Sequence, residues 1–246
     1  MSESNLMLHA GGREVTLDEL REVRTPEGTD TWFPVPHAEV VTTVGKVLNG
    51  AGFTIERARY GLARNDARMF CTMDLSTPLA QGVKLAVGVR NSCDKSFPIG
   101  FVAGSRVFVC DNLAFRSEIS VARKHTRYGE TRFLEATSLA VQNLQQFRDT
   151  EVKRICAFRD TGLLSVEADS LILQAYERGV ISSHSLPDVV KCWRAPEFEE
   201  FQPRTVWSLF NAFTSALGGA AAKNPQRFAA TTMELNTLFD TFVQAL

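Results

Sequence analysis

At Gly52 the apolar residues of this sequence change their spacing. Upstream, Val40, Val41, Val44, Val47 and Leu48 recur at helical intervals, and Gly50 and Gly52 close that helix. Downstream, Phe53–Tyr60 alternates with a period of two, as a strand with one buried face must. Further strands are expected at Met69–Leu75, Val83–Val89 and Phe115–Val121. Phe97–Ala103 and Arg106–Cys110 read as a hairpin turning at Gly104-Ser105. The helical period returns after Tyr128-Gly129: Leu134, Val141, Leu144, Phe147, Val152, Ile155 and Phe158 predict one long amphipathic helix over residues 131–160.

Shorter helices are expected at Val166–Arg178, Pro187–Trp193 and Thr205–Leu217, the last of these stopping at Gly218-Gly219. A final helix starts with Asn224 as N-cap and Pro225 in its first turn. Trp207, Phe210 and Phe213 fall on one helix face and read as core. Near the N-terminus, Thr16 and Glu19 have the spacing of a capping box. Strands grouped together and helices grouped together argue for α+β. The expected architecture is an antiparallel sheet of about five strands, preceded by short helices and backed by a long helix. Residues 1–160 form this core, and residues 161–246 a helical region packed on it.

Several function classes are set aside by what the sequence lacks. No apolar run approaches the roughly 20 residues a membrane span needs. The opening MSESNLMLHAGGREV has no basic stretch followed by an apolar one, so a cytoplasmic protein is expected. Five cysteines form no C-x-x-C pair, which disfavours both a disulfide framework and a cysteine zinc site. The histidines, His9, His37, His125 and His184, lie far apart and carry no metal-ligand spacing. There is neither a Walker A loop nor a G-x-G-x-x-G turn, so no nucleotide cofactor is expected. Cys93, His125 and Asp111 supply the residue types of a thiol nucleophile, its base and an orienter. Nothing local joins them, and the expectation is a non-enzymatic protein with an inert Cys93.

Net charge is −1 overall but uneven along the chain. Residues 53–132 carry 13 basic and 7 acidic side chains, net +6, against net −7 elsewhere. Such asymmetry suggests a segment that faces a polyanion. The cations expected to contact nucleic acid are Arg57, Arg59, Arg64, Arg68, Arg90, Lys95, Arg116, Arg123, Lys124 and Arg127. Arg57 and Arg59, two residues apart, share a strand face. Phosphate contacts need such charges, and aromatic neighbours stack on exposed bases.

The segment Arg90-Asn91-Ser92-Cys93-Asp94-Lys95-Ser96 has turn-forming residues between two apolar strands. Together with the later Phe108-Val109-Cys110-x-Asn112-Leu113, it resembles the phage and plasmid family called domain of unknown function 932. Members show an N-S-x-D-G-[ST] loop and a V-C-x-N-G-[LM] element. Leu17-x-x-Leu20 and the stretch Trp207-Ser208-Leu209-x-Asn211-Ala212-x-Thr214 are similar to members as well. This chain departs in having Lys95 where glycine is usual and Leu113 directly after Asn112. The resemblance marks Asn91, Ser92, Asp94, Ser96 and Asn112 as candidate functional residues, and it implies residence on a mobile element. The leading expectation is a homo-oligomeric protein that binds single-stranded DNA, as in strand annealing during recombination. The alternative is a non-enzymatic factor that binds a host or phage protein, such as an inhibitor of a defence or restriction system.

Overall fold

The computed structural model describes residues 12–107, 112–221 and 225–246. The predicted Phe108–Cys110 strand end, Asp111, His9 and the Asn224 cap lie outside the described residues, as do the side chains of Asn112 and Arg116. Six strands form one sheet in the order β1-β2-β3-β4-β5-β6, every neighbouring pair antiparallel. They are β1 (Arg13–Val15), β2 (Ile55–Ala63), β3 (Arg68–Ala80), β4 (Val83–Ser92), β5 (Ile99–Val107) and β6 (Asn112–Arg123). Helices α1 (Leu17–Glu22) and α2 (His37–Gly50) precede β2. After the sheet come α3 (Gly129–Gln142), α4 (Leu144–Asp160), α5 (Ser165–Glu177), α6 (Leu186–Arg194), α7 (Val206–Ala221) and α8 (Pro225–Gln244). The α+β expectation holds, with one strand more than expected. The additional β1 is three residues long, too short to show a period, and pairs with the end of β2.

Three local expectations fail for physical reasons. Gly104-Ser105 is no turn: both residues lie inside β5, opposite Ala86 and Leu85 of β4. Gly104 sits instead at an irregularity in the β5–β6 pairing, a place where glycine is common inside strands. The single helix over 131–160 is two helices broken at Asn143, whose N–H turns back to Ala140 O at 3.2 Å. Asparagine competes with the helical backbone for hydrogen bonds and is a natural place for such a break. Helix α7 runs through Gly218-Gly219 rather than stopping there. The Thr16–Glu19 capping box is present, with Thr16 N–H donating to Glu19 Oε2 at 2.7 Å.

The strand period sorts the sheet into two faces. Val15, Cys71, Val89, Phe101 and Val121 form one cross-strand row on the apolar face. They join Leu48, Phe133, Leu144, Ile155, Phe213 and Phe239 in one buried cluster, so helices from both halves of the chain share the core. Trp207, Phe210 and Phe213 are buried there as expected. Helix α8 is pinned to α4 by Arg154, which bonds Asp240 Oδ1 and Asn236 Oδ1, both at 2.5 Å, and Glu151 at 3.1 Å. Among the described residues, no helix is long and apolar enough to cross a membrane.

The opposite face is polar and poor in side chains. Arg57, Asp74, Ala86 and Gly104 align across it in one row, and Arg59, Thr72, Gly88 and Val102 in the next. Asp74 is 2% exposed and stands between Arg57 Nε at 3.0 Å and Arg106 Nε at 2.7 Å. Arg106 is itself 1% exposed. Removing one partner of a buried ion pair strands the other's charge, a loss of about 3–5 kcal/mol. Asp74→Ala is therefore expected to lower unfolding stability by about that much, measured as a shifted urea midpoint with an unchanged slope.

Candidate functional site

Antiparallel order brings the β2–β3 turn, the β4–β5 turn and the exit of β6 to one end of the sheet. The family-like loop is there, but its parts differ in role. Arg90, Asn91 and Ser92 belong to β4 itself, so the turn is shorter than the polar segment suggested. Asn91 is fully buried. Its Nδ2 donates to Val35 O at 2.8 Å and to His37 Nδ1 at 2.9 Å, tying β4 to the segment that leads into α2. His37 Nε2 in turn lies 3.0 Å from Asp66 O in the β2–β3 turn. A neutral imidazole with its proton on Nε2 satisfies both contacts. Ser92 Oγ donates to Phe97 O at 2.7 Å and accepts from Phe97 N–H at 3.2 Å, closing the β4–β5 turn.

The turn's tip is exposed. Asp94 bonds Arg68 Nε at 2.7 Å and accepts from Ser96 N–H at 3.0 Å. Lys95 has φ 63°, the left-handed region that favours glycine. The lysine therefore keeps the turn conformation for which glycine is usual at this place, and does so under strain. Its ammonium sits 5.0 Å from the centre of the Trp32 ring.

Beneath the tip lies a buried polar layer that sequence spacing did not reveal, because its members come from three distant segments. Trp32 and His125 face each other with ring centres 6.4 Å apart. Phe33 N–H donates to His125 O at 3.0 Å, which binds the strap before α2 to the loop after β6. The Phe33 carbonyl side favours a protonated His125, yet neither ring nitrogen reaches hydrogen-bond geometry. Trp32 Nε1 and Asn91 Oδ1 are likewise buried without a partner among the described residues. Burial pushes the His37 imidazole below its ordinary range, against the pull of the Asp66 carbonyl, and nearby His125 adds to this; burial also pushes His125 down. Cys93 is buried beside Val35 O, and burial pushes its thiol up to about 11. At neutral pH it is a thiol, which makes it a poor nucleophile.

Apart from Arg90, half-buried on β4, and Arg116, whose side chain lies outside the described residues, the predicted cations divide into two sets. Arg57 pairs with Asp74, Arg59 with Glu14 at 2.9 Å, and Arg68 with Asp94, all as parts of the sheet's own structure. Lys95, Arg123, Lys124 and Arg127 are exposed at the loop end, joined by Arg64 in the β2–β3 turn. Arg123 bonds the Ala122 carbonyl, and none of these five has an acidic partner among the described residues. Tyr128, 61% exposed, follows them. Gly129 makes this crowding possible: a Cβ there would lie 2.4 Å from Lys124 O. Among the described residues no group of histidine, cysteine and carboxylate side chains is arranged to hold a metal. A concavity of about 380 Å³ lies between α6 and α7, lined by Lys191, Phe198, Ser208 and Asn211 among others.

A family model described as "Domain of unknown function (DUF932)" matches residues 28–236, a span that contains the whole site. No curated protein and no solved structure matches the chain.

Two consequences are measurable. His37 and His125 bind protons less readily in the folded chain than in the unfolded one, where histidine titrates near ~6.5. Their contribution is present above about pH 6.5 and is lost as the pH falls through it. Urea midpoints are expected to drop between about pH 7.5 and pH 5.5. The pair His37→Gln and His125→Gln should flatten that drop. Separately, Lys95→Gly is expected to raise stability by about 1 kcal/mol by relieving the left-handed backbone, read from the same unfolding curves.

Proposed function

The chain belongs to the DUF932 family, and we propose that it binds single-stranded nucleic acid, DNA foremost, at the loop-bearing end of its sheet, without covalent chemistry. The observation that carries this reading is the group Lys95, Arg123, Lys124 and Arg127. These cations are exposed, unpaired with acids among the described residues, and at the same end of the sheet, where Trp32 lies between Lys95 and His125. Cations that serve the fold, such as Arg57 and Arg59, are held by carboxylates. Those at the loop end are free to neutralise phosphates, and an exposed tyrosine offers a face on which a base stacks. Lys95 adds a further hint. It occupies a backbone conformation better suited to glycine, so its side chain has a reason to be there beyond the turn.

In a phage or plasmid setting this activity suits the pairing of complementary strands in recombination, in the cytoplasm. One sheet end covers few nucleotides, so a homo-oligomer would lengthen the track. A second reading, a factor that docks on a host or phage protein, is favoured by Leu164, Val166, Leu173 and Tyr176, all exposed at or along α5.

Fluorescence anisotropy with a labelled oligo-dT strand decides between them. Affinity is expected to fall steeply between about 50 and 200 mM salt. Replacing Lys95, Arg123, Lys124 and Arg127 with glutamine should weaken binding, each lost contact lowering the salt slope by about 0.7. Arg148→Gln on α4, distant in sequence and paired with Asp149, serves as the neutral control. Absence of binding to DNA or RNA at ~50 mM salt would remove this reading and favour the α5 surface.

A further inference from the structure

We propose that Arg90 is a phosphate receptor: its guanidinium, laid on the glycine floor of the sheet's polar face, takes one phosphate group of the bound strand. The inference rests on the nucleic-acid reading for its ligand, but on different residues from those that carry that reading. Arg90 stands in β4 opposite Phe70 of β3 and Gly100 of β5. Gly88, the preceding residue on this face, carries no side chain. A Cβ at Gly100 would come within 2.8 Å of Arg90 Nε, so the side chain lies directly on the β5 backbone. Its guanidinium carbon is 5.6 Å from the centre of the Phe97 ring, which in turn packs on Phe70 with centres 5.4 Å apart. Among the described residues the fork is thus held in place by a ring and a bare backbone rather than by hydrogen bonds.

The contrast with its neighbours is chemical. On the same face Arg57 and Arg106 share Asp74, Arg59 has Glu14, Arg68 has Asp94, and Lys84 has Glu56. Arg90 has no acid among the described residues, although burial disfavours its charge. A half-buried cation with all its donors unspent is an expensive arrangement for a merely structural residue. A planar guanidinium fixed in this way matches two oxygens of a phosphate, and little side-chain freedom remains to be lost on binding. A phosphodiester, a terminal phosphate and a free polyphosphate all present that pair of oxygens.

The test measures oligo-dT binding by anisotropy, with and without a 5′-phosphate, and inorganic tripolyphosphate binding by calorimetry. Arg90→Gln is expected to weaken strand binding roughly tenfold or more, as loss of charge-assisted hydrogen bonds does. Arg90→Lys should restore the salt slope without restoring the affinity. Gly100→Ala keeps the charge but sets a Cβ against the middle of the Arg90 side chain, 2.8 Å from Nε and 3.1 Å from Cγ, so it should push the guanidinium off its seat and weaken binding, with a thermal melt checking that the fold persists. Affinities within twofold of the parent for both Arg90→Gln and Gly100→Ala would overturn the receptor even if strand binding itself persists. Arg90-dependent binding of tripolyphosphate without any binding of oligonucleotide would uphold the receptor and defeat the nucleic-acid reading. Failure to bind either anion would defeat both.

Discussion

A carboxylate held between two guanidiniums makes the polar face of this sheet possible. Asp74 lies in the middle of β3, almost sealed from water, with Arg57 on one side and Arg106 on the other. The charges of Asp74 and Arg106 would each be costly there alone, and with Arg57 they join β2, β3 and β5 in one electrostatic unit. The opposite face is predominantly apolar, with Asn91 and Ser105 among its few buried polar residues. Helices from before and after the sheet pack on the same cluster through Leu48, Phe133 and Phe213.

Much of this was legible in the sequence. Periods of two and of 3.6 are direct consequences of strand and helix geometry, so the order of elements and the core positions at Trp207, Phe210 and Phe213 could be read from spacing. Gly104 misled because glycine marks both turns and irregularities inside strands, and only the pairing partner tells them apart. Asn143 was invisible because a break of one residue hardly disturbs the apolar stripe of α3 and α4. The candidate site was half legible. Its basic residues and its polar loop stood out by composition. Its buried layer, Trp32, His37 and His125, did not, since strand order rather than local sequence brings these segments together. Whether an arginine is spent on a carboxylate also depends on cross-strand neighbours. Arg59 and Arg90 look alike in the sequence, but one faces Glu14 and the other a glycine.

The family-like loop combines both kinds of role within a few residues. Asn91 and Ser92 are structural: one amide and one hydroxyl fasten β4 to the strap before α2 and close the following turn. Asp94 positions Arg68 and the turn's backbone. Asp94, Lys95 and Ser96 are exposed at the tip, and of these Lys95 carries the positive charge.

The consecutive order of the six strands also bears on how the chain reaches this state. From β2 to β6 each strand pairs with the strands next to it in the chain, and only the three-residue β1 joins its partner β2 across a long stretch that holds α1 and α2. The β2–β3 and β4–β5 connections are short, which keeps the entropy of loop closure low for the pairs they join. The sheet can therefore grow by successive hairpins as the chain emerges, and docking of α7 and α8 is left as the late, long-range step.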